Sequence, residues 1–143
     1  MASRHRSREV ALQALYAHDL APVRGDPVAL REVFDRVAER FEVPESAKTF
    51  SEELVFGVGA RGEELDAVIQ AHARNWKLSR MGVVDRNLLR LATFELMEYA
   101  ETPAAVIIDE AIELARSFGD DRSPSFVNGV LDAVAHHVRG DSA

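Results

Sequence analysis

There is no cysteine in these 143 residues. That absence excludes a disulfide framework, a thiolate metal site and a cysteine nucleophile together, and it fits a reducing cytoplasm. No uncharged apolar run approaches the roughly 18 residues that a membrane-spanning helix needs. The arginines near the start have no apolar run after them, so no signal peptide is expected. Lysine is almost missing, with only Lys48 and Lys77 beside many arginines. No stretch alternates apolar and polar residues as a half-buried strand does, and no repeat or low-complexity tract occurs.

Catalytic signatures are missing too. The run GVGARG (57–62) has no preceding strand and no P-loop lysine. There is no HExxH and no GxSxG. His136 and His137 are adjacent, so on a helix they point about 100° apart and cannot act as an i, i+4 chelating pair. Asp109-Glu110 reads as a solvated helix side, and Asp120-Asp121 as a turn. No enzyme, metal or cofactor is expected.

Acidic side chains dominate what is present, 24 against 17 basic ones, for a net charge of -7. The excess is uneven. The first eight residues hold Arg4, Arg6 and Arg8 and no acid, so they carry +3 against -10 for the other 135. A polyanion is therefore expected only at this basic arm and whatever lies beside it. The plainer reading of the arm is a disordered, solubilising terminus.

Helical periodicity runs through the chain, and six or seven helices are predicted. The first spans about Ser7 to Leu20, with Leu12, Leu15 and Tyr16 inward and Ala11 beside them. It begins among arginines, which opposes its dipole, and a bound anion would relieve that. Pro22 to Pro27 is a connector, and Asp26-Pro27 starts a second helix to about Phe41, striped by Leu30, Phe34, Val37 and Phe41. Residues 46–75 read as one long helix packed closely at its glycines, or as two with a bend. Trp76 to Gly82 is a connection with one helical turn, and Trp76 reads as a core residue joining two subdomains in preference to a base-stacking platform. Val84 to Tyr99 is helical, with Leu88, Leu91, Ala92 and Leu96 inward.

The most legible stretch is Thr102 to Asp132. Thr102 is a predicted N-cap with Pro103 at the first helical position, and Ser123-Pro124 repeats the device. Ile107, Ala111, Leu114, Ala115 and Phe118 share one face, and Gly119 is a stop signal. Phe126, Val127, Val130, Leu131 and Val134 form the apolar side of the next helix. Asn128-Gly129 lies inside it, at up to about 1 kcal/mol per residue against helix formation. Such a cost implies close packing at the glycine or a polar role for the asparagine.

Three blocks carry a resemblance. AIELARSFGDDRSPSFVNGVLDAV resembles the C-terminal signature of the NusB family of bacterial transcription antitermination factors. RSREVALQALYAHDL resembles its N-terminal signature, and VVDRNLLRLATFEL a third block in the right order between them. The resemblance implies an all-α fold of two helical subdomains packed across each other, here about 1–76 and 77–143. It implies a cytoplasmic factor that binds boxA of nascent ribosomal RNA with NusE, a small-subunit ribosomal protein. Other Nus factors and RNA polymerase would complete the assembly, with no covalent step, and some family members form homodimers that cover the RNA surface.

Carried over by position, the RNA surface would use Arg4, Arg6, Arg8, Gln13 and Tyr16 near the start. Phe118, Arg122, Ser123, Phe126 and Asn128 would join from the later hairpin. Cations suit phosphates, and aromatic faces suit unstacked bases. Tyr16, Phe118 and Phe126 have core packing as their alternative. For NusE, the resemblance implies the helix beginning near Asp85 and the connection before it; Asp85 and Arg86 match the charged pair there, or else serve as an N-cap and a solvated charge. Two rival readings exist: a pure protein-interaction bundle, and a relative of the N-terminal module of a ribosomal RNA cytosine methyltransferase. The second is disfavoured because these residues contain no catalytic domain and no cysteine for that chemistry.

Overall fold

A computed structural model describes residues 2–20 and 27–140, with side chains described from Arg4 and from Val28 onward. Seven helices occur among them: α1 Ala2–Asp19, α2 Pro27–Arg40, α3 Glu45–Ala60, α4 Gly62–His72, α5 Val83–Glu98, α6 Ala104–Phe118 and α7 Ser123–Arg139. A single 3-10 turn, Leu78–Arg80, precedes α5. No strand occurs among the described residues. No helix there is long and apolar enough to cross a membrane. The expected Asp26 cap, the connector before it and the last three residues lie outside the described residues.

The chain divides into two compact units, Met1–Ala60 and Arg61–Ala143. The division falls earlier than the 76/77 boundary expected from the sequence. Its physical reason is α4, which packs on α5 and α7 and so goes with the second unit.

In the first unit, α1 packs on α2 and α3. Val10, Ala11, Leu12, Ala14 and Leu15 are buried, as are Leu30 and Phe34 on α2 and Phe50, Leu54, Val55 and Val58 on α3. Helix α1 begins at Ala2 rather than near Ser7, so the basic arm is helical. Two buried hydroxyls tie it down. Ser7 Oγ donates to Ala47 O (2.7 Å), and Ser51 Oγ donates to Ser7 O (3.0 Å). Gly59 is where α3 meets α2: a Cβ there would lie 2.6 Å from Leu30 Cδ2. The close packing expected of the glycine run thus holds at Gly59, and the 46–75 region forms two helices separated at Arg61.

In the second unit, α4, α6 and α7 all pack on α5. Leu88, Leu89, Leu91, Ala92, Phe94 and Leu96 are buried together with Asn87, Thr93 and Glu95, so α5 is enclosed on nearly every side. Asn87 survives burial through bonds to Val83 O (2.8 Å) and from Arg90 Nη1 (3.1 Å). Arg90 also grips Asp66 of α4 with two bonds, at 2.8 and 3.2 Å. The end of α5 and the connection after it are held by Arg139 from α7, which donates to Leu96 O (3.0 Å), Tyr99 O (2.8 Å) and Thr102 O (2.5 Å). Guanidinium donors there supply the partners that a helix end lacks.

Candidate nucleic-acid interface

The three N-terminal arginines lie against phenylalanine rings of their own unit. Arg4 sits 3.8 Å from the Phe50 centroid, Arg8 5.6 Å from the same ring, and Arg6 5.1 Å from Phe41. Arg6 also pairs with Glu9 and donates to Phe41 O at 3.0 Å. Such cation–π contacts contribute about 0.5–1 kcal/mol when exposed and about 2 when desolvated. They offset the unfavourable basic start of α1. Arg4 stays exposed, Arg6 is half-buried, and Arg8 is only 5% exposed. Arg8 is therefore corrected from a surface contact to a framework residue, because its guanidinium is enclosed against α3. Further along α1, Gln13 is half-buried, and Tyr16 is exposed rather than inward.

In the second unit, α6 and α7 are joined by a tight turn. Gly119 is extended (φ -93°, ψ -166°), so the left-handed stop geometry does not apply. Glycine is needed there for room: a Cβ would lie 2.4 Å from Ser123 Oγ and 2.8 Å from Ala115 O. Neither Thr-Pro nor Ser-Pro sits in the predicted register. Pro103 itself occupies the N-cap of α6, so that helix starts one residue late. Ser123 is the first residue of α7, one residue early, with Arg122 as N-cap. Ser123 is buried, and its hydroxyl accepts from Asp120 N (3.0 Å) and lies 3.4 Å from Asp120 Oδ1. It shapes the turn and is withdrawn as a direct surface contact. Asp120 Oδ1 also accepts from Arg122 N at 2.8 Å.

Phe118 and Phe126 are half-buried, while Arg122 and Asn128 are exposed. Gly129 is exposed as well, with nothing within 4 Å of where a Cβ would be. Close packing within the chain does not explain that glycine.

Beside Phe126 lies Trp76. Trp76 is 51% exposed and meets Phe126 edge to face, with centroids 5.8 Å apart and ring planes at 72°. It is not the buried joining residue expected from the sequence. Gln70 fixes the loop that carries it, donating to Trp76 O (2.7 Å) and accepting from Leu78 N (2.8 Å). Gln70 gave no signal in the sequence, since an exposed helical glutamine is unremarked until its loop closes over it. Together with Arg80, Asp85, Asp120 and Arg122, the two rings line a groove of about 420 Å³. Asp85 is the third residue of α5 and does not cap it; Gly82 does. Burial pushes the Asp85 carboxyl up, and nearby Asp120 adds to this, against a hydrogen bond from Ser123 that lowers it. Arg86 donates to Met81 O at 3.4 Å.

An all-helical unit with cations and part-exposed aromatics at one helix turn carries the side-chain chemistry that suits unstacked nucleic acid. The comparisons narrow that reading. Residues 5–136 match the model of the NusB family, and the chain belongs to that family. It is 46% identical to the transcription antitermination protein NusB of Desulfotalea psychrophila, over 94% of this chain and 96% of that protein. The NusB of Myxococcus xanthus is 42% identical, over 94% and 96%. Among solved structures, NusB of T. maritima superposes with a TM-score of 0.83 at 35% identity, covering 92% of this chain and 89% of that one. A crystal structure of antitermination factors NusB and NusE with double-stranded RNA gives 0.84 at 30% identity, covering 96% and 98%.

Proposed function

We infer that this chain is a transcription antitermination factor that binds boxA of nascent ribosomal RNA together with NusE and helps RNA polymerase read through terminators. The observation that carries the reading is Phe126, half-buried at the head of α7 between exposed Arg122 and the exposed ring of Trp76. An unstacked base needs an aromatic face and its phosphate needs a cation, and both stand at this turn.

The first unit contributes Arg4, Arg6, Gln13 and Tyr16, with Arg8 positioning α1. The second contributes Phe118, Arg122, Phe126 and Asn128, with Ser123 shaping the turn. Arg86 and Asp85, at the start of α5, are the NusE contacts. Other Nus factors and RNA polymerase join in the cytoplasm, and a second copy of the chain competes for the same surface. The function is assembly, with no bond made or broken.

A chain of net charge -7 repels RNA except at its cationic spots. NusE, as a basic partner, extends the attractive surface. Fluorescence anisotropy of labelled boxA RNA, titrated with this protein alone and with NusE, tests this. Affinity is expected to rise at least tenfold with NusE. Equal affinity in the two titrations refutes the cooperative part.

A further inference from the structure

We propose that His72 of α4 and His137 of α7 form a two-imidazole site for a divalent transition-metal ion of the zinc, nickel and copper series. Both helices belong to the second unit, and neither histidine belongs to the candidate interface, so the site stands apart from the antitermination reading.

Geometry comes first. The two side chains are far apart in the sequence, yet α4 packs on α7 and brings their rings to 5.0 Å between centroids, with the planes tilted by 50°. An imidazole nitrogen binds zinc at about 2.0–2.1 Å, with its ring centre about 1.2 Å behind it. Two such rings on one ion, at bond angles between a right angle and tetrahedral, have centroids roughly 4.5–5.2 Å apart. The observed spacing falls inside that range. The adjacent pair His136-His137 cannot reach it, because neighbouring residues on a helix diverge by about 100°.

Donor chemistry supports the geometry. His72 Nδ1 lies 2.9 Å from Val68 O, one turn back on α4. A carbonyl oxygen only accepts, so Nδ1 carries the proton and donates. In the neutral ring Nε2 then keeps its lone pair, the arrangement in which histidines hold metals. His72 Nε2 and both ring nitrogens of His137 have no hydrogen-bond partner among the described residues. His72 is half-buried and His137 is exposed, so an ion reaches the pair from solvent. Imidazole nitrogen suits zinc, nickel and copper, whereas calcium and magnesium take oxygen ligands. A net charge of -7 favours a cation over an anion. Among the described residues no third histidine or carboxylate joins the pair, so water fills the remaining coordination positions. An ion held by both rings fastens the last turn of α4 to α7.

The full chain, free of any affinity tag and dialysed against a chelator, is titrated with zinc chloride and separately with nickel chloride by isothermal titration calorimetry. One ion per chain is expected, and an excess of ion over Kd should raise Tm by several degrees. His72→Ala and His137→Gln should each weaken binding at least tenfold and remove the Tm rise, while His136→Gln stays within about twofold of the parent. In spectra of the histidine side-chain nitrogens, the ion should shift His72 and His137 alone, with Nε2 the ligand atom of His72. Circular dichroism of the ion-free variants checks their folding; should His72→Ala unfold, His137→Gln, at an exposed position, carries the test. No uptake by the parent overturns the proposal, and so does equal affinity in His137→Gln. One ion per two chains, with dimers in the ultracentrifuge, also overturns it, because the ion then bridges copies. No measurement here contains RNA, so none of these outcomes touches the antitermination reading.

Discussion

The two units employ arginine and aromatic side chains in opposite ways. In the first, Arg4, Arg6, Arg8 and Arg31 all lie over phenylalanine rings of the same unit, and Arg31 also bridges Asp35 and Glu52. Those cations mainly fasten helices. In the second, fastening falls to Arg90 and Arg139, while Arg80 and Arg122 line a groove together with Trp76 and Phe126. A cation stacked on its own chain has already used much of its attraction. A cation beside an uncovered ring pair has both partners to offer to a ligand. The proposed function therefore assigns recognition of bases mainly to the second unit, and phosphate contacts to Arg4 and Arg6 of the first.

The largest test of this contrast is Arg139→Ala. It removes three charge-assisted bonds and strands carbonyls at the end of α5. The expected loss is about 3 kcal/mol, with a fall in Tm of roughly 6–10 °C. Anisotropy on the folded protein at low temperature should show boxA affinity within about twofold of the parent. A large affinity loss at full folding would erase the distinction between fastening and recognising arginines.

A smaller effect is expected in the first unit. Replacing Arg4 and Arg6 together by glutamine would remove the two proposed phosphate contacts, each contributing about 0.7 to the slope of log K against log salt for a single strand. The slope should flatten by about 1.4 units, and less if Arg6 stays with Glu9. An unchanged slope would mean that these cations serve the framework alone, like Arg8.

Much of the second unit could be read before its coordinates were known. Apolar spacing in α6 and α7 marks the faces that are buried: Ile107, Ala111, Leu114 and Ala115, then Val127, Val130, Leu131 and Val134. Local chemistry is legible because it acts within one turn. Exposure is not, because tertiary packing decides it. Arg8 looked like a surface cation and is enclosed; Trp76 looked like core and is half exposed. The start of α1 was misplaced for a similar reason. Its arginines oppose the helix dipole locally, but Phe50, Phe41 and the Ser7–Ser51 bonds come from elsewhere in the sequence. Both proline-marked helix starts were displaced by one residue, since the turns around them, not the Pro signal alone, set the first helical hydrogen bond.

The central claim is that Phe126 serves RNA and not the core, and Phe126→Ala tests it most directly. Stacking is worth about 1–3 kcal/mol per base, whereas emptying a core phenylalanine costs about 3–5 kcal/mol of stability. The account predicts a fall in boxA affinity of roughly tenfold or more, with Tm nearly unchanged. Early unfolding by several degrees, with normal RNA affinity in the folded fraction, would contradict it.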